Sequence, residues 1–222
     1  MSEEILINVT PPETRVAVIE NGVAQEIIVE RDGHRGLVGN IYKGKVCRVL
    51  PGMQAAFVEI GLERAAFLHA SDIVTPEHEP RSENITELVH DGEEIVVQVV
   101  KDPLGTKGAR LTTNISIPSR FLVFMPALHN IGVSQKIEDE EERQRLRNIL
   151  QQFVQNSDRH GGYIARTAAE AVGEEALHAD MRFLAKLWQG IQERCQATSG
   201  VELIHEDLPL ALRALRDLVG PD

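Results

Sequence analysis

Aromatic side chains are scarce in this chain: six Phe, two Tyr and one Trp make up 4% of 222 residues. A core of interlocking rings is therefore excluded, and apolar packing must rest on Val, Ile, Leu and Ala. Cysteine is scarcer still. Cys47 and Cys195 stand far apart and form no ligand spacing, which argues against a disulfide framework and points to a reducing, cytoplasmic setting. No apolar run approaches the roughly 18 residues of a membrane span, so no membrane partner is expected. The opening MSEEILINV has no basic segment followed by a long apolar one, so no secretion signal is expected either. Positive charge is also in deficit, with a formal net charge of −11. Phosphate binding usually leaves a basic footprint, so the bulk charge taken alone argues against a nucleic-acid partner.

The charge is unevenly spread. Between positions 31 and 48 stand Arg31, Arg35, Lys43, Lys45 and Arg48, against the single acid Asp32. The acids gather elsewhere, over 77–94 and 138–142. A local basic strip on an acidic chain is compatible with a modest, salt-sensitive RNA contact.

Period-two alternation of apolar residues marks strands in the first 30 positions: Ile5, Ile7, Val9; Val16, Val18; Ile27, Val29. Asn21-Gly22 between two of these runs signals a hairpin, because both residues tolerate positive φ. Five further strand candidates follow, at 41–50, 54–60, 65–69, 94–101 and 108–113. They are separated by Gly/Pro breaks and by a polar loop over 75–93. Five short strands with one longer connection predict a Greek-key barrel of the OB type. After Ile117-Pro118 the pattern alternates: strand 121–125, helix 139–154, strand 163–166, helix 174–197, strand 202–205, helix 210–218. That order predicts an α+β unit beside the barrel.

Two constellations carry candidate chemistry. An OB barrel binds single strands by stacking bases on rings and tracking phosphates with Lys and Arg. Phe57 and Phe67 could serve as platforms, and Lys43, Lys45 and Lys107 as phosphate contacts. Spacing alone favours the plainer reading, with both rings in the core and all three lysines solvated. The second constellation is Arg166-Thr167, closing a strand. A guanidinium can grip two phosphate oxygens, and a hydroxyl adds a donor. The residues alone also allow a surface arginine paired with Glu170 or Glu174. Glu175 and His178 make a single Glu-x-x-His step; a di-metal site would need a second step and two more carboxylates, so no metal site is expected.

Several linked segments, in order, resemble the ribonuclease E/G family. They are EILINVT (4–10), TRVAVIENG (14–22), NIYKGKV (40–46), AAFVEIG (55–61), AAFLHASDI (65–73) and GTKGARLTTNIS (105–116). LVFMP (122–126), GVSQKIE (132–138) and GYIARTAAE (162–170) complete the series. The resemblance covers nearly the whole chain. It implies that Phe57, Phe67 and Lys107 contact RNA, which favours the stacking reading. It implies that Arg166 and Thr167 sense a 5′-monophosphate and that Val123 packs under the terminal nucleotide. Ser119 stands where other members have a glycine in the same pocket. Gln135 stands where they have an arginine, with Lys136 next door.

The implied architecture is α+β: an OB-type barrel (39–118) inserted in an incomplete ribonuclease-H-like subdomain (1–38 and 207–222), plus an α+β 5′-sensor subdomain (119–206). The implied function is the RNA-gripping, 5′-end-reading portion of a single-strand-specific endoribonuclease of rRNA maturation and mRNA decay. Its partner would be single-stranded RNA with a 5′-monophosphate, and the full-length protein would be a homodimer. Cutting would need Mg²⁺ on paired Asp residues of a following nuclease domain. No such signature, and no Cys-x-x-Cys link, occurs in these 222 residues, so a fragment without catalytic or metal residues, and inactive alone, is expected. A stand-alone regulatory RNA-binding module is the alternative, and an interaction protein that no longer binds RNA is a third.

Overall fold

In a computed structural model of the chain, residues 3–75, 82–155 and 161–219 are described. Part of the polar loop over 75–93 and the final Gly220-Pro221-Asp222 lie outside the described residues. The chain divides into two compact units, residues 1–37 with 207–222, and residues 38–206.

The first unit is a three-stranded antiparallel meander, β1 (Glu3–Val9), β2 (Glu13–Glu20) and β3 (Val23–Arg31), with a helix on one face. The turn between β2 and β3 uses Asn21 (φ 49°) and Gly22 (φ 78°), the positive-φ pair that a two-residue hairpin needs. Alternation sends Ile5, Ile7, Val16 and Ile28 to one face, where they meet Leu210, Ala214 and Leu218 of the C-terminal helix (Leu210–Asp217). That helix lacks a side-chain cap from Pro209. The carboxylate of Glu30 on β3 takes over the task, accepting from the Leu210 N–H (3.0 Å) and from Arg213 (2.8 Å).

The second unit contains the barrel. Its strands are β4 (Ile41–Leu50), β5 (Ala55–Glu59), β6 (Ala66–His69), β7 (Glu94–Lys101) and β8 (Arg110–Thr112). Their order is β4-β5-β6-β8-β7, and β7 pairs back to β4, which closes the barrel and leaves no free edge among these five. The β6–β8 pairing is parallel, the others antiparallel. Alanine and branched aliphatic residues fill the inside: Val46, Ala56, Val58, Ala66, Leu68, Val97, Val99 and Leu111 are all at most 1% exposed. Gly108 is obligatory here, because a Cβ at that position would lie 2.1 Å from the Ala65 carbonyl oxygen. A short helix, α1 (Ile85–Leu88), with Asn84 as its cap, sits in the connection between β6 and β7.

The rest of the unit is a four-stranded sheet in the order β11-β12-β10-β9, from β9 (Ile117–Pro118), β10 (Leu122–Met125), β11 (Ile131–Val133) and β12 (Gly162–Ala165). Helices α2 (Glu140–Gln155) and α3 (Glu174–Ala197) accompany it. Asp139 caps α2 by accepting from the N–H groups of Glu141 (2.9 Å) and Glu142 (3.4 Å), and Glu140, Glu141 and Glu142 complement the helix dipole. Leu146, Ile149 and Leu150 of α2 and Leu177, Met181, Leu184 and Ile191 of α3 recur at helical spacing and are buried. Burying each such Leu or Ile contributes roughly 1.5–3 kcal/mol. Barrel residues Ile41 and Val96 join the same cluster, so barrel and sheet share a core.

Strand β13 (Glu202–His205) was expected within the α+β unit beside the barrel, but it adds to the barrel, pairing antiparallel with β4. The C-terminal helix of the first unit is α4 in chain order. The mixed α+β class, the five barrel strands and the long helices agree with the sequence expectation. The short β9 and β11 and the helix α1 were not anticipated, because runs of two to four residues carry too little periodicity.

Candidate nucleic-acid interface

Two groups of residues stand out, one on the outer wall of the barrel and one at an edge of the four-stranded sheet.

On the barrel, Ala56 and Val58 point inward, so alternation turns Phe57 out; Ala66 and Leu68 do the same for Phe67. The two phenylalanines are direct cross-strand partners. Their rings are half-buried and meet edge to face, with centroids 6.2 Å apart. The His69 ring lies 6.4 Å beyond Phe67. Strand register extends this row with basic residues: Arg48 is the partner of Phe57, Arg110 of Phe67, and Lys101 of Arg110. Asp72 fixes Arg110 through bonds of 3.0 and 2.9 Å.

The rings line a groove of about 800 Å³ together with Met53, Lys101, Leu104, Lys107 and Arg110. Lys107 sits at the base of a tight turn closed by reciprocal backbone bonds between Leu104 and Lys107 (3.1 and 3.0 Å). Arg64 donates to the carbonyl of Gly105 in that turn (2.5 Å). An open groove with two rings and four cations (Arg64, Lys101, Lys107 and Arg110) is suited to unpaired bases and a phosphate chain.

The two remaining lysines behave differently. Lys45 is exposed on β4, paired in register with Glu59 and Glu94 rather than with the rings. Lys43 corrects the sequence expectation. Its ammonium donates to the carbonyl of Thr198 (2.7 Å), reaches that of Cys195 (3.4 Å) and pairs with Glu94 (2.9 Å). It caps the C-terminus of α3, whose last carbonyls lack helical partners, and it is only 16% exposed. The hydrogen bond from its ammonium, helped by the Gly200 N–H and then by the lysine's charge, holds the Glu94 carboxyl below its ordinary range. Lys43 therefore serves as a structural tie, with its ammonium engaged by acceptors of the chain itself.

At the sheet edge, strand register brings three turns together. Ala165 at the end of β12 pairs with Leu122 at the start of β10 and with Val133 at the end of β11. Hence Ser119–Leu122, Ser134–Ile137 and Arg166–Glu170 share one end of the sheet. Charged side chains from the helices tie the first two turns and the residues just after the third, 171–172. Arg143 of α2 donates to the carbonyls of Ser134 (2.7 Å) and Ile137 (3.1 Å). Glu142 accepts from Arg145 (2.6 and 2.7 Å) and from the N–H of Ala171 (2.9 Å), while Arg145 also reaches the Val172 carbonyl (2.9 Å). The Arg145 bonds are the main reason the Glu142 carboxyl lies below its ordinary range, with the Ala171 N–H helping and burial opposing.

Asp180 of α3 accepts from the Ser119 hydroxyl (2.5 Å) and the Phe121 N–H (3.2 Å). Burial pushes its carboxyl up, against the bonds from Ser119, Phe121 and Leu122 and the charge of Arg166, which pull it down.

The predicted phosphate residues fall at this edge, but not as one cluster. Arg166 donates through Nη1 to the carbonyl of Ser119 (2.7 Å) and more weakly to that of Arg120 (3.4 Å). Thr167 faces the other way along the edge, its hydroxyl 3.2 Å from that of Ser134. The expectation of a guanidinium and a hydroxyl converging on one point is corrected accordingly: the two engage different turns. With carbonyls at hand, the guanidinium takes them as acceptors.

Ser119 is 5% exposed and spends its hydroxyl on Asp180, so it offers the site a carbonyl and no free donor. Val123 is half-buried on β10 opposite Ile164. Gln135 and Lys136 are exposed in the 134–137 turn. Among the described residues, no group of three His, Cys, Asp or Glu side chains is placed to hold a metal ion.

His69, Lys101, Arg110, Ser134 and Asp180 are the positions that sequence reasoning missed. Alternation on β6 puts His69 on the face of Phe67 and could have found it. The others depend on pairings between strands, or between helix and turn, that are distant in the chain.

A closed barrel with paired rings and cations on its outer wall is the architecture of the OB class of nucleic-acid-binding folds. A family model described as the S1 RNA binding domain matches residues 26–113, and one described as the ribonuclease E/G family matches residues 116–222. Over 230 residues, the chain is 54% identical to ribonuclease G of Escherichia coli (strain K12), covering 100% of this chain and 46% of that protein. Identity to ribonuclease G of Haemophilus influenzae is 53% over 225 residues, covering 98% of this chain and 45% of that protein. Identity to ribonuclease E of Nostoc sp. is 39% over 207 residues, covering 93% of this chain and 29% of that protein. The chain is thus similar along its whole length to the N-terminal portion of ribonuclease G, with ribonuclease E/G and S1 domains. It spans about half the length of the ribonuclease G relatives it matches, 46% in the first case.

Proposed function

We propose that this chain is the RNA-gripping and 5′-end-reading portion of a single-strand-specific endoribonuclease that acts in rRNA maturation and mRNA decay. The observation that carries the RNA grip is the row Arg48–Phe57–Phe67–Arg110–Lys101 across the outer wall of an S1-type barrel. Each ring offers a face to an unpaired base, and stacking is worth about 1–3 kcal/mol per base. A duplex presents no free base faces, so single strands are preferred. Lys107, beside the same groove, follows the phosphate chain, with exposed Lys45 a weaker contributor from its own patch of the wall.

The sheet edge reads the 5′ end. A terminal monophosphate is drawn to the Arg166 guanidinium, to the facing hydroxyls of Thr167 and Ser134, and to Lys136, with Gln135 as a further donor. Val123 supports the terminal nucleotide, and the Ser119 carbonyl orients the guanidinium. The Ser119 carbonyl holds Nη1 of the guanidinium (2.7 Å), and charge-assisted bonds to a dianionic phosphate are stronger than bonds to neutral oxygens.

The first unit is read as two parts of a ribonuclease-H-like subdomain. Cutting is assigned to the remainder of the parent enzyme, a cytoplasmic homodimer using Mg²⁺. Among the described residues, no cluster of carboxylates or imidazoles suits that ion. The chain alone is expected to bind RNA and leave it intact.

Titrating this chain with a short A/U-rich single strand and with the same sequence as a duplex tests the grip. Tighter binding of the single strand, weakening with salt, is expected; equal affinities would remove the stacking account. Repeating the single-strand titration with 5′-phosphate and 5′-hydroxyl ends tests the sensor.

A further inference from the structure

We infer that Asp180 is a positioning residue of the 5′-phosphate site: acting through the 119–122 turn, it sets where Arg166 stands. This rests on the phosphate reading above.

Two residues link Asp180 to Arg166, and each uses two different groups to do so. Ser119 gives its hydroxyl to the Asp180 carboxylate (2.5 Å), and its carbonyl accepts from the Arg166 guanidinium (2.7 Å). Phe121 gives its N–H to the same carboxylate oxygen (3.2 Å), and its carbonyl accepts from the Arg166 N–H (2.8 Å). One carboxylate oxygen therefore holds both the residue that fixes the Arg166 side chain and the residue that fixes its backbone. Ser119 also accepts from the Leu122 N–H through its hydroxyl oxygen (3.2 Å), which closes the turn on itself.

Placement on α3 makes the tie rigid. Asp180 lies between Leu177 and Met181, each 0% exposed, on a helix whose apolar side is packed into the shared core. Its position is thus set by the core, and the turn is set by Asp180. A carboxylate in such surroundings is costly unless donors surround it. Ser119, Phe121 and Leu122 supply them, and Arg166 adds the compensating charge.

Replacing the carboxylate by an apolar group would leave the Phe121 N–H without this acceptor and the Ser119 hydroxyl with only the Leu122 carbonyl of its own turn (3.0 Å). The turn would then relax, and the Ser119 carbonyl would no longer orient the guanidinium. An amide at the same place keeps an acceptor oxygen and so keeps the turn. Position is the quantity that matters here, so the conservative variant is expected to rescue the site.

The test compares the wild-type chain with Asp180→Ala, Asp180→Asn and Arg166→Ala. Each is titrated with one short single-stranded RNA carrying either a 5′-monophosphate or a 5′-hydroxyl, and thermal unfolding is followed separately. The readout is the ratio of the two affinities, which a helix-docking role alone would not move in folded protein. A wild-type preference of about tenfold or more is expected, the worth of a hydrogen-bonded charged group. Asp180→Ala is expected to lower it nearly to the Arg166→Ala level, and Asp180→Asn to retain it, with 5′-hydroxyl RNA binding alike in all four.

A folded Asp180→Ala chain with the wild-type ratio would overturn the inference, as would Asp180→Asn losing as much as Asp180→Ala. Absence of a preference in the wild-type arm would overturn the phosphate reading itself, and this inference with it. Should Asp180→Ala not fold, Ser119→Ala decides: a reduced ratio supports the tie, and an unchanged one removes it.

Discussion

The barrel wall and the sheet edge are proposed to hold two parts of one RNA, yet they are built in opposite ways. On the wall, functional side chains stand where strand register puts them: Arg48, Phe57, Phe67, Arg110 and Lys101 are successive cross-strand partners. Once the barrel closes, no further device is needed to bring the rings together. At the edge, backbone register only gathers three turns. Their shape then depends on long-range ties: Arg143 to 134–137, Glu142 with Arg145 to 171–172, and Asp180 to 119–122. Register is cooperative and hard to disturb by one substitution, whereas a tie fails with one side chain.

The comparison is broken most severely on the wall itself. Replacing Phe57 and Phe67 together by Ala removes two platforms and should weaken single-strand binding by well over tenfold, given about 1–3 kcal/mol per stacked base. Fluorescence anisotropy at fixed salt checks this, and unfolding should change little because both rings face outward. Next in size, Arg166→Ala should erase the roughly tenfold 5′-phosphate preference. It should leave 5′-hydroxyl RNA at wild-type affinity, so that the two regions separate in one pair of titrations.

The lysines sharpen the contrast between contact and scaffold. Lys107→Ala should reduce the slope of log affinity against log salt by about 0.7, one phosphate contact on a single strand. Lys43→Ala should leave that slope unchanged and lower the melting temperature instead.

The smallest effect concerns a tie. The Glu142 carboxyl titrates lower in the folded chain than its ordinary value of 4.5. Its stabilisation is thus complete above that value and lost as pH falls through the folded one. Glu142→Gln should cost about 2–4 °C in melting temperature at neutral pH, and the gap should close as the solution is acidified below 4.5. A gap that persists in acid would mean the tie does not depend on its charge.

These outcomes bear on how legible the molecule was in its sequence. Barrel strands announced themselves because each has four or more alternating residues between Gly or Pro breaks. The long helices did so because apolar residues recur through several turns. Phe57 and Phe67 were identifiable as a pair, with family resemblance settling whether the rings face out. Lys43 and Lys45 share a face of one strand, and the sequence could not distinguish them. The difference comes from α3, whose C-terminus ends about 150 residues later beside Lys43 and captures its ammonium. Arg166 and Thr167 were named as one gripping pair, but adjacent residues at a strand end diverge, and here each found a partner on a different turn.

Local order alone determined the element types, the alternation that turns two rings outward, and the capping of α2 by Asp139, since each depends on residues a few positions apart. Tertiary structure decided the closing of the barrel by β7 on β4, the addition of β13, the role of Lys43 and the hold of Asp180 on the 119–122 turn. Those rest on pairings across tens to more than a hundred residues. Such contacts depend on how the elements pack against one another, and no periodicity along the chain records which distant donor will reach which acceptor.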